Sequence, residues 1–284
     1  MKLIIVLLFT VTLSFAADYL GDDAGQPASG RASLSVLDSF DPALGDYQVG
    51  FGYDEANGQF WVANNVNGGG SGQNVIVVFE GTSPYSEVET FDQNNTTGWG
   101  ILDMAYNSGI MYVSDYSANI FNYYNTTTQE KIGSFNAYTS GSYAVATDGA
   151  GMFFTGDFNT GGHVYSATWD GVSGSSPSWS QFTTTALAET GIIGAAYDAS
   201  WPCLWVAVSS GTGTIYQVDT DGSFMEVFDQ SAQGANPAGA DMAPYSTDAD
   251  KLWVLFQATP DMVYCLDSQV AIQRETWGTI KTMF

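Results

Sequence analysis

A unit of about 48 residues repeats five times along the chain, and this repeat restricts the fold more than any other feature of the sequence. Each copy carries an aromatic residue inside a short apolar strand, and successive aromatic positions are 51, 41, 52 and 48 residues apart. The repeated aromatic residues are Trp61, Tyr112, Phe153, Trp205 and Trp253. Repeats of this length are typical of stacked units that cannot bury their apolar faces alone.

The segments around each aromatic strand repeat in phase. A strand of small residues that ends in a turn precedes it, as in Ala196-Tyr197-Asp198, and a third strand follows it. A fourth strand ends in Phe in four of the units. Short strands in groups of four, separated by Gly, Asn, Asp and Ser turns, predict an all-β propeller with four-stranded blades. We expect five blades, between residues 33 and 275.

Two other architectures stay open at this point. The segment 34–40 resembles the fourth strand of a blade, which would close the ring by joining the last unit. Residues 270–275 also resemble a fourth strand of that unit, so a degenerate sixth blade is one alternative. A two-sheet sandwich is the other, although its strands would not repeat in groups of four.

The fourth unit carries the pattern most clearly, in Ala195-Ala196-Tyr197-Asp198, then Leu204-Trp205-Val206-Ala207, then Ile215-Tyr216. This pattern resembles the loose repeat of extracellular propellers of the NHL, YVTN and SMP-30 types, over residues 48–275. The resemblance implies a propeller fold. Such propellers include lactonases, lyases, lectin-like binders and interaction scaffolds, so no single function follows from it.

The two ends of the chain differ from the repeat. Residues 1–17 have a basic residue, Lys2, followed by an apolar run and then small residues, which predicts a signal peptide. The apolar run is shorter than the roughly 20 residues of a membrane-spanning helix. We therefore expect a secreted or periplasmic protein without a membrane span, with a linker at 18–32 and a C-terminal tail at 276–284.

The charge balance and the cysteine content exclude several classes of protein. Thirty acidic residues against six basic ones give a net charge of −24, which cannot neutralise the phosphates of a nucleic acid. Two Cys and one His, His163, are too few for a structural zinc site with four N or S ligands. Cys203 and Cys265 predict either a disulfide or two buried thiols.

Five acidic residues are the candidates for a site at one mouth of the central channel, where the second-to-third and interblade connections of a propeller meet. Asp103 and Asp241 begin matching segments, 103–105 and 241–243, of two first strands. Asp115 and Asp157 follow second strands, and Glu189 precedes a first strand. Clustered carboxylates suit Ca²⁺, for which Asp103 and Asp241 are the predicted ligands. The alternative is that these side chains cap turns.

Three functions are compatible with these features. The first is a non-enzymatic binding or scaffold propeller for a protein or carbohydrate, since loops rich in Tyr, Trp, Asn and Ser suit such ligands. The second is a calcium-dependent hydrolase or lyase that uses the five acids. The third is a lectin with pockets between blades. A serine hydrolase is disfavoured, because no Gly-x-Ser-x-Gly motif accompanies His163.

Overall fold

The computed structural model describes residues 31–44, 48–65, 73–93, 98–116, 118–159, 161–246 and 250–268. Across these ranges the chain forms twenty β-strands, arranged as five separate four-stranded antiparallel sheets. The described part contains no helix with the length and hydropathy of a membrane span. The five sheets are the blades of a propeller, which confirms the predicted fold and excludes a two-sheet sandwich.

The blades are numbered along the chain, and their strands run from the axis outward. Blade one consists of β2 (Gln48–Asp54), β3 (Gln59–Asn64), β4 (Val75–Glu80) and β5 (Glu87–Asp92). Blade two consists of β6 (Ile101–Asn107), β7 (Ile110–Asp115), β8 (Ile120–Asn125) and β9 (Lys131–Asn136). Blade three consists of β10 (Ala146–Thr147), β11 (Met152–Gly156), β12 (Val164–Thr168) and β13 (Ser180–Gln181). Blade four consists of β14 (Ile192–Asp198), β15 (Cys203–Val208), β16 (Thr214–Asp219) and β17 (Phe224–Asp229). Blade five consists of β18 (Asn236–Ala243), β19 (Lys251–Gln257), β20 (Met262–Leu266) and β1 (Val36–Phe40).

The N-terminal strand completes the last blade. β1 pairs antiparallel with β20, and Phe40 lies opposite Val263. The ring is therefore closed by strands from both ends of the propeller, which protects two sheet edges at once. The described sheets number five, so the sixth blade is wrong. The other candidate strand, 270–275, lies outside the described residues, as do the predicted signal peptide and C-terminal tail.

Contacts with the propeller begin two residues before the predicted boundary at 33. The amide of Asp229 donates a 2.8 Å hydrogen bond to the carbonyl of Ala32. The Arg31 guanidinium is buried and forms an ion pair with Glu189, with 3.0 Å between Nη1 and Oε1. Residues 31 and 32 therefore belong to the folded domain rather than to a linker.

Aromatic residues of the second strands fill the wedges between neighbouring blades, as predicted, except that blade three is displaced by one residue. Trp205 lies opposite Ala196 in the ladder, and Phe154 lies opposite Ala146 in the same way. Phe154 belongs to the core between blades three and four, whereas Phe153 packs toward blade two. The repeated aromatic position of blade three is thus Phe154, and the predicted Phe153 is wrong.

Each innermost strand follows a common register around the axis. In blades one, two, four and five a bulge interrupts its pairing with the second strand. Bulges of this kind bend a strand and increase its twist. In each blade one residue of the innermost segment lies opposite the repeated aromatic. The residues two positions before it in the chain form a ring, which we call the axial ring. The axial ring consists of Gly50, Asp103, Ala144, Gly194 and Gly239.

Small residues of the axial ring allow neighbouring strands to approach closely. A Cβ atom at Gly194 would lie 1.9 Å from the carbonyl oxygen of Ala238, and one at Gly239 would lie 2.3 Å from the amide nitrogen of Phe51. Both contacts are with backbone atoms, which cannot move aside as a side chain does. The axis is therefore too narrow for most side chains, and Asp103 is the exception.

Candidate functional site

Asp103 projects into the axis and connects four blades. Its Oδ2 atom accepts hydrogen bonds from the amides of Val145 at 2.8 Å and Ala195 at 2.9 Å. Its Oδ1 atom accepts one from the amide of Ala240 at 3.0 Å. These three donors occupy the same register position in blades three, four and five. Burial raises the pKa of the Asp103 carboxyl well above its usual value, although the three amide bonds act in the opposite direction.

Asp241 lies two register positions further along its strand than Asp103. Met104 lies opposite Val113, the residue after the repeated aromatic, whereas Met242 lies opposite Leu252, the residue before it and two residues before Val254. The predicted match of 103–105 with 241–243 is therefore wrong, because the counterpart of Asp103 in blade five is Gly239.

The Asp241 carboxylate joins blade five to blade one. It accepts hydrogen bonds from the amides of Tyr53 at 2.8 Å and Met242 at 2.9 Å. Burial, with a smaller contribution from the nearby Asp250, raises the pKa of Asp241 to about 8, although the two amide bonds act in the opposite direction. The Asp241 carboxyl makes a small further contribution to the raised pKa of Asp103.

The other three predicted site residues lie apart from the axis, each with its own partners. Asp115 accepts a 3.0 Å bond from the side-chain amide of Asn122. Asp157 accepts a 2.8 Å bond from the Asn159 amide and a 3.3 Å bond from the Thr139 hydroxyl.

Glu189 lies in the connection that precedes the first strand of blade four, and it has a hydrogen-bond partner in addition to its ion-pair partner. Besides Arg31, it accepts a 3.0 Å bond from the Thr212 hydroxyl. Each of these acids forms bonds with its own neighbours. Such bonds, like those of Asp157, fit the turn-capping alternative better than a shared acidic cluster.

In the described residues, the side chains that could coordinate a metal ion lie apart from one another. None of their His, Cys, Asp and Glu side chains form a group of three or more that would hold a metal ion. The calcium site at Asp103 and Asp241 stays a prediction. The oxygens of both residues are already occupied by backbone amides, which an incoming cation would have to displace.

No disulfide joins Cys203 to Cys265, and both are buried thiols. Cys203 lies in the core between blades four and five, where its Sγ accepts a 3.4 Å hydrogen bond from Gln217. Cys265 belongs to a different core region, which also contains Trp253 and Phe60. The predicted disulfide is corrected accordingly: the two cysteines face opposite sides of blade five.

A ring of apolar side chains closes the channel above Asp103. We call this ring the apolar collar; its members precede the axial ring by one residue. They are Val49, Leu102, Tyr143, Ile193 and Ala238, all buried and all in one core cluster. Because of this closure the Asp103 side chain is fully buried, and a ligand at the mouth cannot touch its carboxylate.

Three aromatic side chains lie beside the apolar collar on the face where the second-to-third and interblade connections meet. Together with Tyr143, which belongs to the collar, they form a group that we call the aromatic mouth: Trp99, Tyr116, Tyr143 and Phe158. Trp99 and Phe158 pack against the core cluster that contains the apolar collar. The ring centroid of Tyr143 lies 5.4 Å from that of Tyr116 and 5.2 Å from that of Phe158.

The aromatic mouth presents both apolar faces and hydroxyl groups. Tyr116 is 38% exposed. Burial, with smaller contributions from Tyr116 and Asp157, raises the pKa of Tyr143, so its hydroxyl stays a hydrogen-bond donor over the neutral range. A surface that combines aromatic rings with a few polar groups suits a ligand with apolar faces.

The sequence contains a signal for this group that the acid-based prediction missed. Asp115 and Asp157 each follow a second strand, and each is followed directly by an aromatic residue, Tyr116 and Phe158. The acids hold the loops in place, whereas the aromatic neighbours lie at the mouth.

Comparison with known proteins shows the fold and no closer relationship. No protein-family profile matches the chain, and no curated protein sequence does either. The glutaminyl cyclase of Myxococcus xanthus superposes with a TM-score of 0.60 at 12% identity, covering 84% of this chain and 99% of that one. A luciferin-regenerating enzyme gives 0.52 at 12% identity, covering 81% and 95%. A chain of the nidogen–laminin complex gives 0.50 at 11% identity, covering 80% and 82%. These similarities are between propellers, two of them enzymes and one part of a protein complex, so what they share with this chain is the β-propeller architecture.

Proposed function

We propose that the protein is a binding propeller that holds an uncharged ligand at the aromatic mouth. The observation that carries this proposal is the combination of four aromatic side chains with a closed apolar floor. The acids nearest to it, Asp115 and Asp157, are largely buried; Asp115 accepts a hydrogen bond from Asn122 of β8, and Asp157 accepts one from Asn159 of its own loop. Such a surface offers stacking and hydrogen bonding but no exposed catalytic group.

The distribution of charge supports an uncharged ligand. Among the described residues the cationic side chains are Arg31, Lys131 and Lys251. Arg31 and Lys251 form ion pairs with Glu189 and Asp267, and Lys131 begins β9, at the opposite end of its blade from the mouth. An anionic ligand would therefore meet no complementary charge at the mouth and would be repelled by the net charge of −24.

The leader-like residues 1–17 support a location outside the cytoplasm, and we include secretion or export to the periplasm in the proposal. An aromatic, hydroxyl-rich mouth on an acidic and strongly charged protein suits an aqueous extracellular environment.

The proposal is tested with a ligand panel read by thermal shift. The panel contains neutral oligosaccharides, neutral peptides, and the sulfated or phosphorylated counterparts of both. We expect neutral members to raise Tm, since a ligand that binds only the folded state stabilises it. Tyr116→Ala should abolish the shift without changing the Tm of the free protein, because this side chain is partly exposed.

The control and the opposing outcomes are as follows. Val88→Ala changes an exposed apolar residue on the outer strand β5 and should leave ligand binding intact. Stabilisation only by the anionic members, stabilisation that survives Tyr116→Ala, or no stabilisation by any member would each refute the proposal.

The alternative is a calcium-dependent hydrolase or lyase. Its support is the pair of carboxyls Asp103 and Asp241, whose pKa values are both raised by burial, with Asp241 also raising the pKa of Asp103. A calcium titration by calorimetry tests it, with Asp241→Asn as the matched variant. Saturable calcium binding that Asp241→Asn abolishes would favour the calcium-dependent enzyme. The proposal of a binding propeller predicts no heat of calcium binding for the wild type or for the variant.

A further inference from the structure

A second pair of tyrosines lies on the same face of the propeller, outside the aromatic mouth. Tyr138 belongs to the connection between blades two and three, and Tyr165 is the second residue of β12. Their ring centroids are 3.8 Å apart with an interplanar angle of 21°, a stacked arrangement. Tyr138 is 39% exposed, almost the same as Tyr116 at the mouth. The face therefore carries two exposed tyrosines, each backed by another tyrosine.

Polar groups lie between the two tyrosine pairs. Asp157 raises the pKa of Tyr143 in the first pair and of Tyr165 in the second, which places its carboxylate within electrostatic range of both. Asp157 also accepts a bond from the Thr139 hydroxyl. The Thr139 amide donates to the Ser142 hydroxyl at 2.9 Å. The surface thus alternates between an aromatic pair, a hydroxyl-rich turn and a second aromatic pair.

We propose that the pairs Tyr116–Tyr143 and Tyr138–Tyr165 are two stacking subsites for one linear, uncharged glycan. Sugar rings offer an apolar C–H face for an aromatic ring and hydroxyl groups at their edges, which match the two kinds of surface in turn. This inference rests on the proposed function, because it names the ligand class of the same mouth and extends the site beyond it.

A proline-rich peptide is the other polymer that stacks on exposed tyrosines. The groups between the two pairs disfavour it. Asp157 and Ser142 are buried and hold the turn between the pairs, where the side chains of Ser140 and Asn159 are exposed. Both exposed groups donate and accept hydrogen bonds, whereas polyproline has no N–H groups and offers only carbonyl acceptors. Glycan hydroxyls both donate and accept, so they satisfy both kinds of group.

The experiment combines a glycan array with calorimetry. The array carries neutral and acidic glycans and a set of proline-rich peptides. The best neutral glycan is then titrated as a series of increasing chain length against wild type, Tyr116→Ala, Tyr138→Ala and the control Val88→Ala. We expect Tyr116→Ala to weaken binding about tenfold at every length, and Tyr138→Ala to do so only for the longer oligomers. The melting temperature of each free variant confirms that it is folded.

The outcomes separate this inference from the function on which it rests. If Tyr116→Ala weakens binding but Tyr138→Ala has no effect at any length, the second subsite is refuted and the mouth stands. If proline-rich peptides bind and glycans do not, the ligand class is refuted and the binding function stands. If no array member binds, or if binding is insensitive to Tyr116→Ala, both are refuted.

Discussion

Asp103 offers the most direct test of how the propeller is held together at its axis. Its carboxylate accepts three buried backbone amides, from Val145, Ala195 and Ala240. Asp103→Ala leaves all three amides without this acceptor. An unsatisfied buried donor costs about 1–3 kcal/mol, so the free energy of unfolding should fall by roughly 3–9 kcal/mol. That loss is comparable to the total of about 5–15 kcal/mol for an ordinary domain, and the Ala variant is at risk of not folding.

Asp103→Asn keeps the volume and gives a measurable effect. Its oxygen can replace Oδ2 and retain the bonds from Val145 and Ala195, but its NH₂ group then faces the amide of Ala240. One bond is lost, at a cost of about 1–3 kcal/mol. Because burial raises the pKa of Asp103, ionising it destabilises the wild-type fold as pH rises above the unfolded pKa. The Asn variant lacks this dependence, so its deficit should shrink with increasing pH.

The assay is urea unfolding followed by tryptophan fluorescence at several pH values, with far-UV circular dichroism as a second probe. Glu87→Gln, an exposed carboxylate-to-amide change on β5, is the matched control and should have little effect. An Asp103→Asn variant as stable as wild type at pH 5 would show that the bond from the Ala240 amide contributes nothing, and the reasoning would be wrong.

Two further predictions concern the axis. The folded pKa of Asp241 is raised to about 8, so the free energy of unfolding of the wild type should fall as pH rises from about 4 to about 8. In urea unfolding, Asp241→Asn should flatten this pH profile. A profile parallel to that of the wild type would contradict the raised pKa. Gly239→Ala places a Cβ 2.3 Å from the Phe51 amide nitrogen and should lower the free energy of unfolding by about 1–3 kcal/mol. A Tm unchanged from wild type would show that blades five and one separate easily.

The repeat alone was sufficient to predict the blades. In blades one to four a Gly or Ala lies opposite the repeated aromatic, and these small residues are visible in the sequence before any packing is known; in blade five Asp241 takes that position. The one-residue displacement in blade three was not visible, because Phe153 and Phe154 are both aromatic. Only packing shows that Phe154 faces blade four and Phe153 faces blade two.

The lengths of the first hairpins explain why the site was harder to predict than the fold. The bulges of blades two and five lie at equivalent positions, but two residues join the first two strands in blade two and seven join them in blade five, so the aromatic strand does not fix the register of the acid before it. Asp103-Met104 and Asp241-Met242 are identical as sequences, yet their residues have different register partners. Tyr116 and Phe158 lie at the mouth directly after Asp115 and Asp157, but in a chain with 14% aromatic residues the sequence does not distinguish them from aromatic residues of the core.

The position of Asp103 follows from the backbone chemistry of a closed five-bladed ring. The innermost strand of each blade is a sheet edge, and its inward amides have no neighbouring strand with which to pair. In a buried axis those amides need an acceptor. An acid at Gly194 or Gly239 would collide with the backbone of the next blade, so these positions cannot supply it. Asp103 sits where the space remains, and one carboxylate with two oxygens serves the amides of three other blades. The burial and raised pKa of Asp103 resemble those of a catalytic acid, but the need of the ring for a buried hydrogen-bond acceptor explains both. The proposed ligand site is therefore the aromatic mouth above Asp103.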